Sequence, residues 1–168
     1  IKQVIQSQRV PEGNYTGCIQ AYDYNTNQRL SENPPLGCTG LLSYYMLDPP
    51  IILNPTWKQT VTAQIEQLIT FNWTNVAGAQ VPISYNFRLV NVPSGINPYD
   101  AMDTDNLLMW EEEDIPAPVF IYDSSKPPLP VNSYYAVQVQ AFDENNITLI
   151  GNDGYSDLIF FYYKEGQF

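Results

Sequence analysis

The most constraining feature of this chain is an internal repeat. The segment Val10-Pro-Glu-Gly-Asn-Tyr15-Thr-Gly-Cys-Ile-Gln-Ala-Tyr-Asp23 has a second version in Pro130-Val-Asn-Ser-Tyr-Tyr135-Ala-Val-Gln-Val-Gln-Ala-Phe-Asp143. Tyr15, Gln20, Ala21 and Asp23 reappear as Tyr135, Gln140, Ala141 and Asp143. Each copy runs on through a polar loop, slightly shorter in the second, into another apolar run: Leu41–Tyr45 and Ile159–Tyr163. A recurring segment of this kind is one supersecondary unit used twice. Here the unit is a pair of strands. In the second copy Tyr135, Val137, Val139 and Ala141 alternate with Ala136, Gln138, Gln140 and Phe142, the period of two that marks a half-buried strand. The first copy alternates less cleanly, because Gly17 stands where the second has Val137.

The chain between the copies holds enough strands to complete a sandwich around the second. Gln67–Thr74 sets Ile69, Phe71 and Trp73 on one side, and Ile83–Val90 sets Ile83, Tyr85, Phe87 and Leu89 inward. Ile51–Leu53, after Pro49-Pro50, suits an edge strand, where proline blunts pairing with a neighbour. Val119–Tyr122 adds one more. With the C-terminal pair, six or seven strands are expected between Pro49 and Tyr163, the complement of an immunoglobulin-like sandwich. Only about ten residues precede the first copy, too few for its missing strands. The expected organisation is thus all-β: residues 1–47 form the C-terminal strand pair of an incomplete sandwich, and residues 48–168 a complete one. The chain as given, without an initial Met or signal peptide, reads as an excerpt or a processed product.

Composition narrows the function. Hydrophobic residues make up 44% and aromatics 14% of the 168, enough for a core. Fourteen prolines, with Asn, Asp and Ser, break the apolar segments at the spacing of turns between short strands. A formal charge of −11 with only 7 basic residues leaves nothing to neutralise phosphates, so nucleic acid is excluded as a partner. No run of about 18 apolar residues is present, so no direct membrane insertion is expected.

Several phrases together resemble a known family. Phe71-Asn-Trp73 ending one strand, Tyr85-Asn-Phe-Arg-Leu opening the next and the Tyr-x-Val-x-Val-x-Ala of Tyr135–Ala141 are similar to the fibronectin type III pattern. More narrowly, Gly13-Asn-Tyr15 with Cys18–Asp23, a second Cys before the next strand, Asp48-Pro-Pro-Ile and Asn152-Asp-Gly-Tyr-Ser156 resemble the TANFOR-type tandem domains of large exported proteins of gliding-type Gram-negative bacteria. The likeness covers nearly the whole chain, but its motifs are structural, and sandwich folds carry many unrelated functions. It implies a surface or envelope protein, in the periplasm, at the outer membrane or on the cell surface, whose repeats act in assembly or adhesion. It carries no catalytic motif.

In an apparently exported module, an even cysteine count favours pairing of Cys18 with Cys38; two buried free thiols are the alternative. The counterparts in the second copy are Gln138 and Ser156, so the pair is dispensable to the fold. Histidine is absent, which removes Ser-His-Asp and Cys-His chemistry, and two cysteines without CxxC spacing cannot make a zinc site. No cofactor is expected. The acids of Trp110-Glu-Glu-Glu-Asp114 read as a solvated loop: a glycosidase needs two carboxylates across a cleft, and calcium wants alternating acids with a glycine turn.

Residues 91–118 exceed what a minimal sandwich requires, and long connections on a rigid scaffold often bind partners. Ala101, Leu107, Leu108 and Trp110 suit a short helical turn or irregular cover. Two roles remain open for the candidate interaction residues Tyr99, Leu107, Leu108, Met109 and Trp110: Leu107 to Trp110 close the open edge of the sandwich, or a recognition surface is built on Tyr99, Met109 and Trp110. Asn14, Asn72 and Asn146 each head an N-glycosylation triplet, normally silent in a bacterial protein; a eukaryotic extracellular source would make Asn146, in a loop, the best placed.

The expected function is a non-catalytic module docking on protein partners in an envelope or surface assembly. A carbohydrate-binding or adhesion module is the alternative, with Trp57, Trp110 and tyrosines stacking on sugar rings. Two or three coplanar exposed aromatics on one sheet face would mark a glycan site; a contiguous apolar patch or an open edge would mark a protein site.

Overall fold

A computed structural model describes residues 10–145 and 148–166. The chain forms two compact units, Ile1–Met46 and Leu47–Phe168. Leu47 falls in the second because it exchanges backbone hydrogen bonds there, Leu47 N–H to Leu149 O and Gly151 N–H to Leu47 O, each 2.8 Å.

In the first unit β1 (Gly13–Tyr15) pairs antiparallel with β2 (Leu42–Tyr44), Tyr15 lying opposite Leu42. The ladder continues as isolated bridges, Cys18 with Cys38 and Tyr22 with Arg29. At the tip Asp23 accepts from the Asn25 and Thr26 backbone N–H groups at 3.0 and 2.7 Å, an Asx turn that reverses the chain. None of its described residues is buried.

The second unit has eight strands among its described residues. They are β3 (Ile52–Asn54), β4 (Thr60–Thr62), β5 (Leu68–Trp73), β6 (Ser84–Val92), β7 (Leu108–Ile115), β8 (Val119–Asp123), β9 (Ser133–Phe142) and β10 (Ile159–Lys164). One sheet has the order β4-β10-β9-β6-β7 and the other β3-β5-β8. All neighbours are antiparallel except β4 and β10. The all-β expectation holds, and the two sheets pack face to face.

Alternation builds the core between them. Ile69, Phe71 and Trp73 of β5 and Tyr85, Phe87 and Leu89 of β6 are buried, with Phe120, Tyr122, Tyr135, Val137, Val139 and Phe161. Ring contacts cross from sheet to sheet: Phe71 to Phe87 at 4.9 Å, Phe87 to Phe120 at 4.5 Å, and Trp73 to Tyr85 at 5.4 Å edge-on. Burying a side chain of this size stabilises by about 1.5–3 kcal/mol. The edge strand expected at Ile51–Leu53 is β3, which does lie at an edge of its sheet.

A second, smaller cluster lies on the outer face of the five-stranded sheet, where Val90, Val92, Ala136 and Leu158 pack under Ala101 and Met102. The latter two sit in α1 (Pro98–Met102), capped at its N-terminus by the Asn97 side chain, which accepts from Tyr99 N–H at 2.9 Å. This cover explains why Leu89 and Val90 are both fully buried although they point to opposite faces.

One expectation is corrected here. Trp110–Asp114 is no solvated loop but the body of β7, the edge strand beside β6. Its Arg88 neighbour pairs with Glu111 at 3.2 Å, Trp110 Nε1–H donates to Glu112 Oε2 at 2.9 Å, and Glu113 and Asp114 face solvent.

Candidate functional site

The two copies of the repeated strand pair can be compared position by position. Tyr135 lies opposite Phe161 as Tyr15 lies opposite Leu42, so the second runs correspond one residue away from an end-to-end match. The Tyr135 hydroxyl donates to Pro130 O at 2.7 Å, and the Tyr15 hydroxyl donates to Pro11 O. Asn145 N–H donates to Asp143 Oδ1 at 2.9 Å, as Asn25 N–H does to Asp23. The hydrogen bonds from Thr26 hold the Asp23 carboxyl below its usual pKa.

Cys18 and Cys38 form a disulfide closing a separation of 20 residues, as preferred from the sequence. The same place in the second unit is linked without sulfur. Gln138 Nε2 donates to Ser156 O at 3.1 Å, Val139 N–H donates to Ser156 Oγ at 3.1 Å, and Ser156 N–H donates to Val139 O at 2.8 Å. A disulfide persists in an oxidising environment, which suits an exported protein. Among the described residues no helix is long and apolar enough to cross a membrane.

Exposure separates the copies. Ile19 is 85% exposed, whereas Val139, its counterpart, is 1% exposed. Leu42 is 56% exposed and Phe161 fully buried. Leu30, Leu36, Leu41 and Tyr45 add to the apolar surface of the first unit. This hairpin is the candidate interaction surface; only the exact partnering of its residues with a buried set elsewhere reveals it.

The five residues singled out from the long connection divide among three places. Met109 and Trp110 pack against the main core, and Leu107 against the small outer cluster. Leu108 and Tyr99 are 36% and 57% exposed. Met109 turns inward beside Trp110 because the β6–β7 register slips by one residue there: Leu89 faces Trp110 and Val90 faces Leu108. Trp110 meets Tyr122 edge-on at 6.3 Å and lies under Lys126 Nζ at 5.6 Å. Trp57 stands elsewhere, 48% exposed and tilted against Phe160 at 5.9 Å. Phe160 lies nearly parallel to Tyr134 at 5.0 Å with planes 9° apart, but Trp57 is tilted by 49° against Phe160 and Tyr162 by 46° against Tyr134, so the four rings do not share one plane.

The outer face also carries a concavity of about 530 Å³, lined by Asn86, Arg88, Glu111, Gln138, Gln140 and Tyr155 among others. Arg88 is fixed there by bonds to Met102 O at 3.1 Å, Asp105 at 2.9 Å and Glu111 at 3.2 Å. Burial acts to lower the Arg88 pKa, but the hydrogen bonds and charges of Asp105 and Glu111 outweigh it and leave it raised. Sequence reasoning missed this site, whose strand residues read as an ordinary solvated face.

Among the described residues no cluster of three His, Cys, Asp or Glu side chains could hold a metal. Asn14 lies in β1 and accepts from Ser43 Oγ at 2.7 Å, Asn72 lies within β5 with a buried Oδ1, and Asn146 is outside the described residues. The chain matches no family model, no curated protein and no solved structure.

Proposed function

We propose that this chain is a non-catalytic structural and interaction module of an exported cell-envelope or surface protein, built from fibronectin type III-like domains. The first unit is the closing strand pair of one such domain and the second a whole one. The observation that carries the reading is the exposure of Ile19 and Leu42 at the places where Val139 and Phe161 are buried. A strand pair presenting the inward face of a sandwich has the chemistry to accept further strands. Those strands belong to a neighbouring repeat or an assembly partner. The sheet orders β3-β5-β8 and β10-β9-β6-β7 support an immunoglobulin-like topology, as do the tyrosines bonded back to upstream carbonyls.

A photo-crosslinking side chain placed at Ile19 in the native protein tests this. Adducts should form with strand segments of one defined protein domain, and a probe at Thr26 in the tip should give none. Equal labelling from both sites, or no protein adduct from Ile19, overturns the reading.

A further inference from the structure

We propose that the concave outer face of the five-stranded sheet binds a neutral saccharide. The groove lies wholly within Leu47–Phe168, so the proposal stands apart from assembly through the first unit.

Its construction begins with strand alternation. Asn86 and Arg88 of β6 stand opposite Gln140 and Gln138 of β9, giving four outward polar side chains in two adjacent rows. The floor is held in place before any ligand arrives. Arg88 is tied to Met102 O, Asp105 and Glu111, Gln138 Nε2 to Ser156 O, and Gln140 Nε2 to Asp153 O, the last two at 3.1 Å. Each glutamine bond accounts for one of two amide N–H groups and leaves the side-chain carbonyl as an acceptor.

The rim is built by a left-handed turn. Asn152, Asp153 and Gly154 have φ of 53°, 51° and 83°, and a Cβ on Gly154 would lie 2.0 Å from Ala141 O. The turn sets Asn152 and the 40%-exposed Tyr155 over one side of the groove.

This chemistry selects its ligand. Of the lining side chains only Met102 and Tyr155 offer apolar surface, so the groove is a poor host for a lipid or an apolar peptide. The carboxylates of Asp105 and Glu111 are already paired with Arg88, and among the described residues no group of three His, Cys, Asp or Glu side chains gathers to hold a metal ion. Asp103 on the lining and a net charge of −11 disfavour anions, including acidic glycans. What remains is a fixed set of amide donors and acceptors spaced along two strands, with one aromatic at the rim. That set matches the vicinal hydroxyls of an uncharged sugar, each of which both donates and accepts. Such a site works by hydrogen bonding and needs no coplanar aromatic platform.

The test is NMR of the ¹⁵N-labelled full chain with gluco-, manno-, xylo- and N-acetylgluco-hexasaccharides, and oligogalacturonate as the acidic control. The side-chain amide signals of Asn86, Gln138 and Gln140 should shift in a saturable way with at least one neutral sugar and remain still with oligogalacturonate. Gln138→Ala with Gln140→Ala should weaken that binding at least tenfold. Tyr155→Ala, an exposed change that leaves the floor intact, should weaken it several-fold while the spectrum stays folded. No shift with any neutral sugar overturns the proposal. So does undiminished binding by both variants, or a shift confined to Trp57 and Tyr134.

Discussion

The two strand pairs share sequence, turn chemistry and a tyrosine tied to a proline carbonyl, yet they are stabilised by different means. The C-terminal pair lies in a sandwich, where Tyr135, Val137, Val139 and Phe161 are buried among aromatic rings from the opposite sheet. The N-terminal pair has no buried residue among those described and carries a covalent bond where the other has a glutamine and a serine. Local pattern therefore specifies the hairpin, and what surrounds it decides which force maintains it. Where apolar surface is removed from water, a polar cross-strand link suffices. Without burial, the loop must be closed by restricting the unfolded chain, which a disulfide does.

Deleting a ring at the centre of the sandwich is the strongest way to break this contrast. Phe87 is fully buried and touches Phe71, Trp73 and Phe120. Phe87→Ala should lower the stability of the second unit by about 3–5 kcal/mol, read from its urea transition. Amide exchange in the first unit should be unchanged. Parallel loss of protection in the first unit would show that it depends on the same core.

Reduction makes the reverse experiment. Breaking Cys18–Cys38 releases a separation of 20 residues, and the first unit should lose about 3 kcal/mol. Amide protection around β1 and β2 should fall, while the urea midpoint of the second unit holds. If the first unit keeps its protection, burial by other groups is holding it.

A smaller effect is expected where the second unit replaces the disulfide. Ser156 is 1% exposed, accepts from Val139 N–H and donates to Asp157 O at 2.9 Å. Ser156→Ala leaves a buried N–H without that acceptor and should cost about 1–3 kcal/mol in the urea transition. A negligible cost would mean that the cross-strand link contributes little once the core is formed.

How much of this was readable from the sequence depends on which face of a strand meets the core. β5, β6 and β9 were legible because Phe71, Trp73, Tyr85, Phe87, Tyr135 and Val137 repeat at a period of two. β7 was not, because Glu111 to Asp114 place acids on both of its sides. Charge on an edge strand guards against pairing with other chains, so the same residues that hide the strand from pattern reading also protect the edge. β4, three residues long, pairs parallel with β10 and gives too short a signal to detect. The groove was illegible for another reason: it gathers side chains from residue 86 to residue 155, and their nearness exists only once β6 and β9 are in register. The disulfide could be inferred, and the missing strands implied an uncovered first copy, but spacing alone does not separate the exposed Ile19 from the buried Val139.

The mildest probe of the contrast is alkaline pH, acting on tyrosines of the second unit. Burial pushes the hydroxyls of Tyr122 and Tyr135 up to about 12, and they donate to Pro127 O at 2.8 Å and Pro130 O at 2.7 Å. A tyrosine in the unfolded chain ionises near pH 10. Below that pH both states hold the proton and these hydroxyls contribute their full stability. Between about 10 and 12 the unfolded chain releases protons that the folded one retains, so stability declines as pH rises and the contribution is lost on passing the folded value. The urea midpoint of the second unit should therefore be flat from pH 8 to about 9.5 and fall above it. Tyr122→Phe with Tyr135→Phe should start lower at neutral pH, by about 1 kcal/mol for each lost hydrogen bond, and show a shallower alkaline decline. An equally steep decline in the double variant would assign the alkaline sensitivity to other groups, such as Tyr85 and Tyr163, whose hydroxyls burial also raises.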